Sequence, residues 1–278
     1  RIFHETGVFR DPLYYVPGRH LLRVNVSAGR QWSLVALGEL GASPDETFRA
    51  GERFARQALA KVEYTTADGA SYAGVTLGAT DGAPWWIGGY GSLALTEGLS
   101  VYADTSHTRG SRAWYPDAST RPPAFVRSRV DERAWNTFAV VGARYTFARG
   151  DDLRVEWMSQ QAGWSEDELV LAFDAARFAA SPDAFAPYLR PGLEFLGRQF
   201  LLLSLRTPEL PPRKRVEVQT RYLHAFTDGS RVLFVTSRLE ATDRLVLFAT
   251  GTLTGGPDHG EFSRLLGGSL VLGSSVTW

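Results

Sequence analysis

Along most of this chain, apolar and polar residues alternate with a period of two, in segments of roughly ten residues separated by Gly, Asp, Asn or Pro. Successive side chains of a strand point to opposite faces, so such a segment sorts into one apolar and one polar face when it is extended. Between Trp85 and His107, residues Ile87, Gly89, Gly91, Leu93 and Leu95 share a face, and Thr96, Glu97 and Gly98 turn the chain. Leu99, Val101 and Ala103 then resume that face, while Ser100, Tyr102, Asp104 and Ser106 take the other. A second hairpin, from Thr137 to Gln161, turns on Ala148, Arg149, Gly150 and Asp151. It sets Val141, Ala143, Tyr145, Phe147, Leu153, Val155 and Trp157 against Gly142, Arg144, Thr146, Arg154 and Glu156.

This alternation fits a soluble sandwich, which would bury the apolar face on a second sheet, and equally a barrel that shows it to lipid. Composition removes other classes. The chain has 0 Cys, which excludes disulfide frameworks, thiolate metal sites and cysteine nucleophiles. Its richest apolar stretch, Phe200 to Leu205, is interrupted by Ser204 and stops at Arg206, far short of the ~20 apolar residues a membrane helix needs. A formal net charge of +0 gives no field that would attract nucleic acid. Lys61 and Lys214 are the only lysines, so positive charge is carried almost wholly by Arg. Arg1 to Arg10 has neither the basic start nor the apolar centre of a signal peptide, and we expect a mature or trimmed chain. No composition break or linker divides residues 1–278, so one domain is expected.

The pattern predicts strands near residues 2–9, 19–27, 31–41, 50–66, 70–80, 84–95, 99–109, 136–148, 152–163, 193–206, 214–226, 230–240, 244–254 and 262–278. That is a closed antiparallel transmembrane β-barrel of about fourteen strands, within a range of about 12 to 16. Counting back from Trp278, the connections at Thr242, Gly150, Glu97, Asp68 and Gly29 fall at one end and are short. The exception at that end is Thr207 to Arg213, and the long segments 110–136 and 164–192 fall at the other. Short periplasmic turns and long external loops are the asymmetry of outer-membrane barrels. The second long segment carries a predicted helix, Glu166 to Phe178, with Ser165 as N-cap and Glu166, Asp167 and Glu168 in its first turn. It reads either as a lid over the lumen or as an external cap on the rim.

The last segment places Leu266, Gly268, Leu270, Leu272, Ser274, Val276 and Trp278 on one face, and Gly267, Ser269, Gly273, Ser275 and Thr277 on the other. Here the sequence resembles the Gram-negative outer-membrane β-barrel superfamily, whose members end in an amphipathic strand with a terminal Phe or Trp. Ser274 departs from that pattern on the outward face. The resemblance implies residence in the outer membrane, contact with its lipid and lipopolysaccharide, and recognition of the last strand by the barrel assembly machinery. Within the superfamily the strand number is similar to monomeric porins and fatty-acid transporters, and the Arg-rich interior to alginate-export channels.

Parity predicts an inward set containing Arg144, Arg154, Glu156, Arg215, Glu217, Arg221, Arg238 and Glu240. It extends to Arg23, Arg53, Lys61, Arg198, Arg206 and Arg244, with Glu39, Glu63, Asp104 and Glu194. A basic surplus in a water-filled pore would favour small anionic solutes, including acidic saccharides, because Arg grips carboxylate or phosphate bidentately. The same charges could instead pair across strands to fill the interior. Trp32, Tyr64, Trp85, Trp157, Tyr222 and Trp278 are candidate membrane-interface aromatics, whose rings suit the layer between acyl chains and headgroups. The expected function is a passive channel without cofactor, metal or catalytic residues. One alternative is a non-transporting barrel that anchors a periplasmic or surface protein partner. The other is a lipid hydrolase, opposed by Ser106 and His107 facing opposite sides of one strand.

Overall fold

The computed structural model describes residues 19–42, 56–82, 85–111, 113–119, 124–126, 134–176, 193, 195–210 and 215–276. Thirteen strands form one antiparallel sheet in which each pairs with the next along the chain. They are β1 (Arg19–Ala28), β2 (Trp32–Ala42), β3 (Gln57–Thr65), β4 (Tyr72–Thr80), β5 (Trp86–Ala94) and β6 (Leu99–Arg109). After them come β9 (Trp135–Thr146), β10 (Asp152–Gln160), β11 (Gln199–Thr207), β12 (Val216–Ala225), β13 (Arg231–Glu240), β14 (Leu245–Gly255) and β15 (Ser269–Val276). A separate hairpin of β7 (Tyr115–Asp117) and β8 (Ala124–Val126) sits in the connection between β6 and β9. Helix α1 (Glu166–Ala176) lies between β10 and β11, and the short helix α2 (Glu261–Leu265) between β14 and β15.

Each of these thirteen strands answers to one predicted from the alternation; the strand expected at residues 2–9 lies outside the described residues. Two boundaries are corrected. The strand expected from residue 193 begins at Gln199, because Phe195 and Leu196 are drawn into the buried clusters of the loops. The segment expected to be strand from residue 262 starts as α2, and Leu266 packs on the buried cluster around Phe262 instead of facing outward. Gly267 and Gly268 separate that helix from β15. Ser165 does cap α1: its Oγ accepts from the Glu168 N–H at 3.4 Å, and the Glu168 carboxylate accepts from the Ser165 N–H at 2.8 Å, a reciprocal capping box.

The longest connections fall at one end, as expected, although residues 81–85 and 226–230 at that end are as short as the turns opposite. Residues 29–31, 66–71, 95–98, 147–151, 208–215 and 241–244 link strands at one end, with Gly29 (φ 74°) and Gly150 (φ 91°) supplying the left-handed turn positions. Residues 110–134 and 161–198 cross at the other. Because thirteen is odd, β1 and β15 both run toward the short-turn end. Among the described residues these two strands are the edges of the sheet, which is not closed on itself.

The two faces differ sharply in what they meet. On the outer face Leu253, Leu270 and Leu272 are 65%, 68% and 71% exposed, whereas on the inner face Met158, Phe200 and Leu223 are fully buried. Four inner-face rungs place an aromatic ring directly across from a glycine: Tyr90 on Gly74, Trp86 on Gly78, Tyr102 on Gly142 and Phe248 on Gly273. A Cβ added at any of these glycines would stand 2.2 to 2.5 Å from the ring, so the rings lie flat in space only glycine leaves. Glycines interleaved with bulky strand residues therefore mark ring-over-glycine packing on the inner face.

Candidate functional site

On β9 to β13 the inner face carries the charges that parity predicted, and the structure pairs nearly all of them. Arg144 binds Asp152 through Nε. Arg154 Nη1 lies 3.6 Å from Glu156 Oε1, and the same oxygen accepts a 2.5 Å hydrogen bond from the Tyr102 hydroxyl. Glu217 stands opposite Arg238 in register, yet its carboxylate accepts from Arg206 Nε on the neighbouring strand at 2.7 Å. Arg238 turns instead to Glu240, at 3.3 Å. Arg221 is 8% exposed, with its guanidinium 5.9 Å from the centre of the Phe234 ring. Arg215 reaches Asp243 at 3.5 Å in the short-turn end, at the rim of the sheet. Seven of the eight expected interior residues share one face by register, and Arg215 lies in the turn before β12. They form a lattice of opposite charges, which leaves little surplus there to select an anion. Arg53 and Glu194 lie outside the described residues.

Above that lattice, toward the long loops, the inner face becomes apolar. Val140, Met158, Phe200, Leu202, Leu223, Val232 and Phe234 are buried against Phe195 and Phe262, which the loops bring in. A second cluster joins Leu169, Ala172 and Phe173 of α1, at helical spacing, to Trp164, Leu196 and Tyr115. Buried polar side chains tie these loops together. Gln160 Nε2 donates to the carbonyls of Phe195 and Gly197 at 2.5 and 2.6 Å. Glu261 accepts from the N–H groups of Leu196 and Gly197 at 2.8 and 3.0 Å. Asp228 in turn accepts from the Glu261 N–H at 2.6 Å and the Ser230 N–H at 2.8 Å. Burial, with the nearby charge of Asp228 adding to it, raises the Glu261 carboxyl to about 7 despite the two N–H donors that favour its charged form. The space in front of the long-loop ends of β9 to β13 is therefore a packed cap. Sequence parity missed it, although the uninterrupted apolar run Phe200 to Leu203 is the signal of a strand buried on both faces.

Neither cluster includes a residue of β1 to β6. The inner face there is mixed: Asn25, Ser27, Ser33, Lys61, Glu63, Thr76, Ser92, Ser100 and Asp104 share it by register with Val35, Leu37, Leu59 and Trp86, the last three toward the long loops. Lys61 Nζ and the Tyr90 hydroxyl both bind Glu63 Oε2, at 3.0 and 2.5 Å, and Arg23 Nε donates to Asn25 Oδ1 at 3.0 Å. Ser106 lies on this inner face and His107 on the outer, where its Nδ1 is 2.9 Å from Thr137 Oγ1. Asp151 and Asp152, a carboxylate pair with the look of a cation site, are each taken by an arginine, Arg149 and Arg144.

The outer face carries aromatics at both ends. Trp32 and Tyr64 meet at 5.1 Å and Tyr145 and Phe147 at 4.7 Å near the short turns. Trp85 and Trp135 meet edge-on at 5.5 Å near the long loops, with Arg109 over the Trp135 ring. Trp157 and Tyr222 also face outward, close to the long-loop ends of β10 and β12, and Tyr222 stacks on His224. Trp278 lies outside the described residues. Along β9, Trp135 and Tyr145 bracket Thr137, Ala139, Val141 and Ala143 on the same face. Ten residues at about 3.3 Å each, tilted by about 40°, span ~25 Å across a bilayer, the height of a membrane barrel's apolar band.

An antiparallel sheet of this size, apolar and exposed outside, polar or packed inside, and banded by aromatics, has the make-up of a membrane β-barrel wall. No helix among the described residues is long and apolar enough to cross a membrane. No family model matches the sequence. No curated protein matches it either. Among solved structures, the crystal structure of the siderophore receptor PirA from Pseudomonas aeruginosa is similar, with a TM-score of 0.43 and 13% identity. The likeness covers 84% of this chain and 47% of that one, so the chain spans about half the length of the receptor.

Proposed function

We propose that the chain is an outer-membrane β-barrel protein of a Gram-negative bacterium, with its long loops outside, that passes small polar or anionic solutes by diffusion along the β1 to β6 side of its interior. The observation that carries this reading is the division of the inner face. The apolar cap lies on the β9 to β13 side, while neither buried cluster includes a residue of β1 to β6, whose inner face is polar toward the short turns. A route along this wall passes Arg23 and Lys61, not Arg215 and Arg221, together with Glu39, Glu63 and Asp104, so the ion preference rests on the balance of these five charges. Passage needs no bond-making step; the wall only has to lower the cost of moving a hydrated solute.

Recordings from the purified full chain in planar bilayers test this. Discrete conductance steps are expected, with Lys61→Glu shifting the ion preference toward cations and Arg215→Ala leaving it unchanged. Inserted protein that carries no current would overturn the channel reading. The packed cap favours a second reading on that outcome, a closed barrel that presents its knitted external loops to a protein partner.

A further inference from the structure

Across the outer faces of β1 to β4 the side chains shrink toward the long-loop end. The rungs run Val26, Leu34, Val62, Val75, then Val24, Ala36, Ala60, Leu77, then Leu22, Gly38, Ala58, Ala79. The small central residues leave a groove of about 670 Å³ between a ridge of Leu22 and Val24 and a ridge of Leu77 and Trp85. It continues into a second hollow of about 360 Å³ bounded by Leu34, Val62 and Val75. From Gly38 to Leu34 the trough is ~13 Å long and parallel to the strands.

Its long-loop end is polar and basic. Arg56 stands two positions before Ala58, fixed where its carbonyl accepts from the Asp81 N–H at 2.9 Å, and it is exposed. On the other flank Arg109 stacks over Trp135, whose ring contacts Trp85 in the groove wall. Three strand spacings of about 4.8 Å separate β3 from β6, so the two guanidinium groups bracket roughly 14 Å of the interface. A disaccharide with a phosphate at each end can bridge that span, and Arg is the side chain suited to phosphate.

We propose that this groove is a binding site for the lipid A portion of lipopolysaccharide, with one acyl chain in the trough over Ala36 and Ala60 and the phosphorylated sugars on Arg56 and Arg109. The proposal rests on the membrane reading above. Within a bilayer an acyl chain gains nothing from leaving water, so the site works by shape, filling a furrow that mobile lipid tails would pack poorly, and by phosphate contacts at its mouth. Asp81, across the rung from Arg56, keeps the mouth from attracting anions indiscriminately.

The test begins with the full chain purified from outer membranes in mild detergent. Fractionation and heat-dependent gel mobility check the membrane reading separately. Native mass spectrometry with added lipid A, and in parallel with phosphatidylethanolamine, then reads occupancy. Wild type is expected to hold one lipid A per chain. Ala36→Trp and Ala60→Trp should lower occupancy at least tenfold, with Ala58→Leu as a milder filling, and Arg56→Glu several-fold. Leu93→Trp, which adds bulk to the outer face of β5 outside the groove, should leave it unchanged. Equal occupancy in all variants, or equal retention of phosphatidylethanolamine, overturns the proposal. So does a lipid-free wild type whose filling variants lose their barrel mobility, because the chain itself would then occupy the groove.

Discussion

Glu261 shows how much a single carboxyl can control in the loop cap. It is 4% exposed and bonds two consecutive N–H groups from a loop more than sixty residues away in sequence. Its carboxyl is raised from 4.5 to about 7, chiefly by burial. A raised acid binds its proton more tightly in the folded than in the unfolded state, so the cap is most stable at low pH. Stability falls as pH climbs from about 4.5 to about 7, by an amount on the order of 3 kcal/mol before local relaxation. Glu261→Gln should flatten that dependence while keeping an acceptor for one of the N–H groups. Amide exchange at Leu196 and Gly197, compared at pH 5 and pH 8, reads it: protection that falls at pH 8 in wild type and stays level in the variant is expected, and identical profiles would refute the assignment. The sequence held a hint of this residue, since an acid directly after Gly260 is a helix-start signal. A five-residue helix, however, is too short to show a helical period, and the alternation of the following strand absorbed it.

Strands proved more legible than what covers them, for a reason visible in β9, β10 and β11. Their outward residues, such as Val141, Val155 and Leu203, alternate cleanly because the outer side of these strands is apolar along most of its length. The inward residues change character partway, from Arg144, Arg154 and Arg206 to Val140, Met158 and Phe200, because the loops fold over only the upper part. Parity assigns a face but not what stands in front of it, so it groups the charges on one side of the strands and is silent about the cap. The inner glycines are the element-scale feature that sequence did expose. Gly142 allows the Tyr102 ring to lie across β9 and reach Glu156 on β10. Gly142→Ala would drive the ring off that path and strand a buried carboxylate, costing roughly 1–3 kcal/mol. Gly38→Ala, on an outer face with nothing within 4 Å of the new methyl, should be neutral or slightly stabilising. Urea titrations of both variants in lipid vesicles compare them, and equal midpoints would show that the ring-over-glycine rungs are dispensable.

For the molecule as a whole, the medium around the sheet decides what the same contacts are worth. A ring of antiparallel strands requires an even number, and thirteen leaves β1 and β15 parallel, so closure of this wall calls for a further strand between them. Residues 2–9, where the alternation predicts a strand, lie outside the described residues. The outer face gives an independent handle on the medium, because water and lipid penalise the same substitution differently. Val141 sits midway between Trp135 and Tyr145 and is 50% exposed, flanked by Ala103 and Trp157. On a water-facing sheet Val141→Arg would change stability by no more than about 0.5 kcal/mol. At the midplane of a bilayer the same change costs about 2–4 kcal/mol, falling toward 0–1 at the interface. Thr137→Arg, four residues nearer the long-loop end, should therefore cost clearly less than Val141→Arg. Urea unfolding of the three proteins in vesicles measures the gradient. A depth-dependent penalty places the outer face in lipid, whereas two equally mild substitutions would mean that the apolar face of this sheet meets water or another protein.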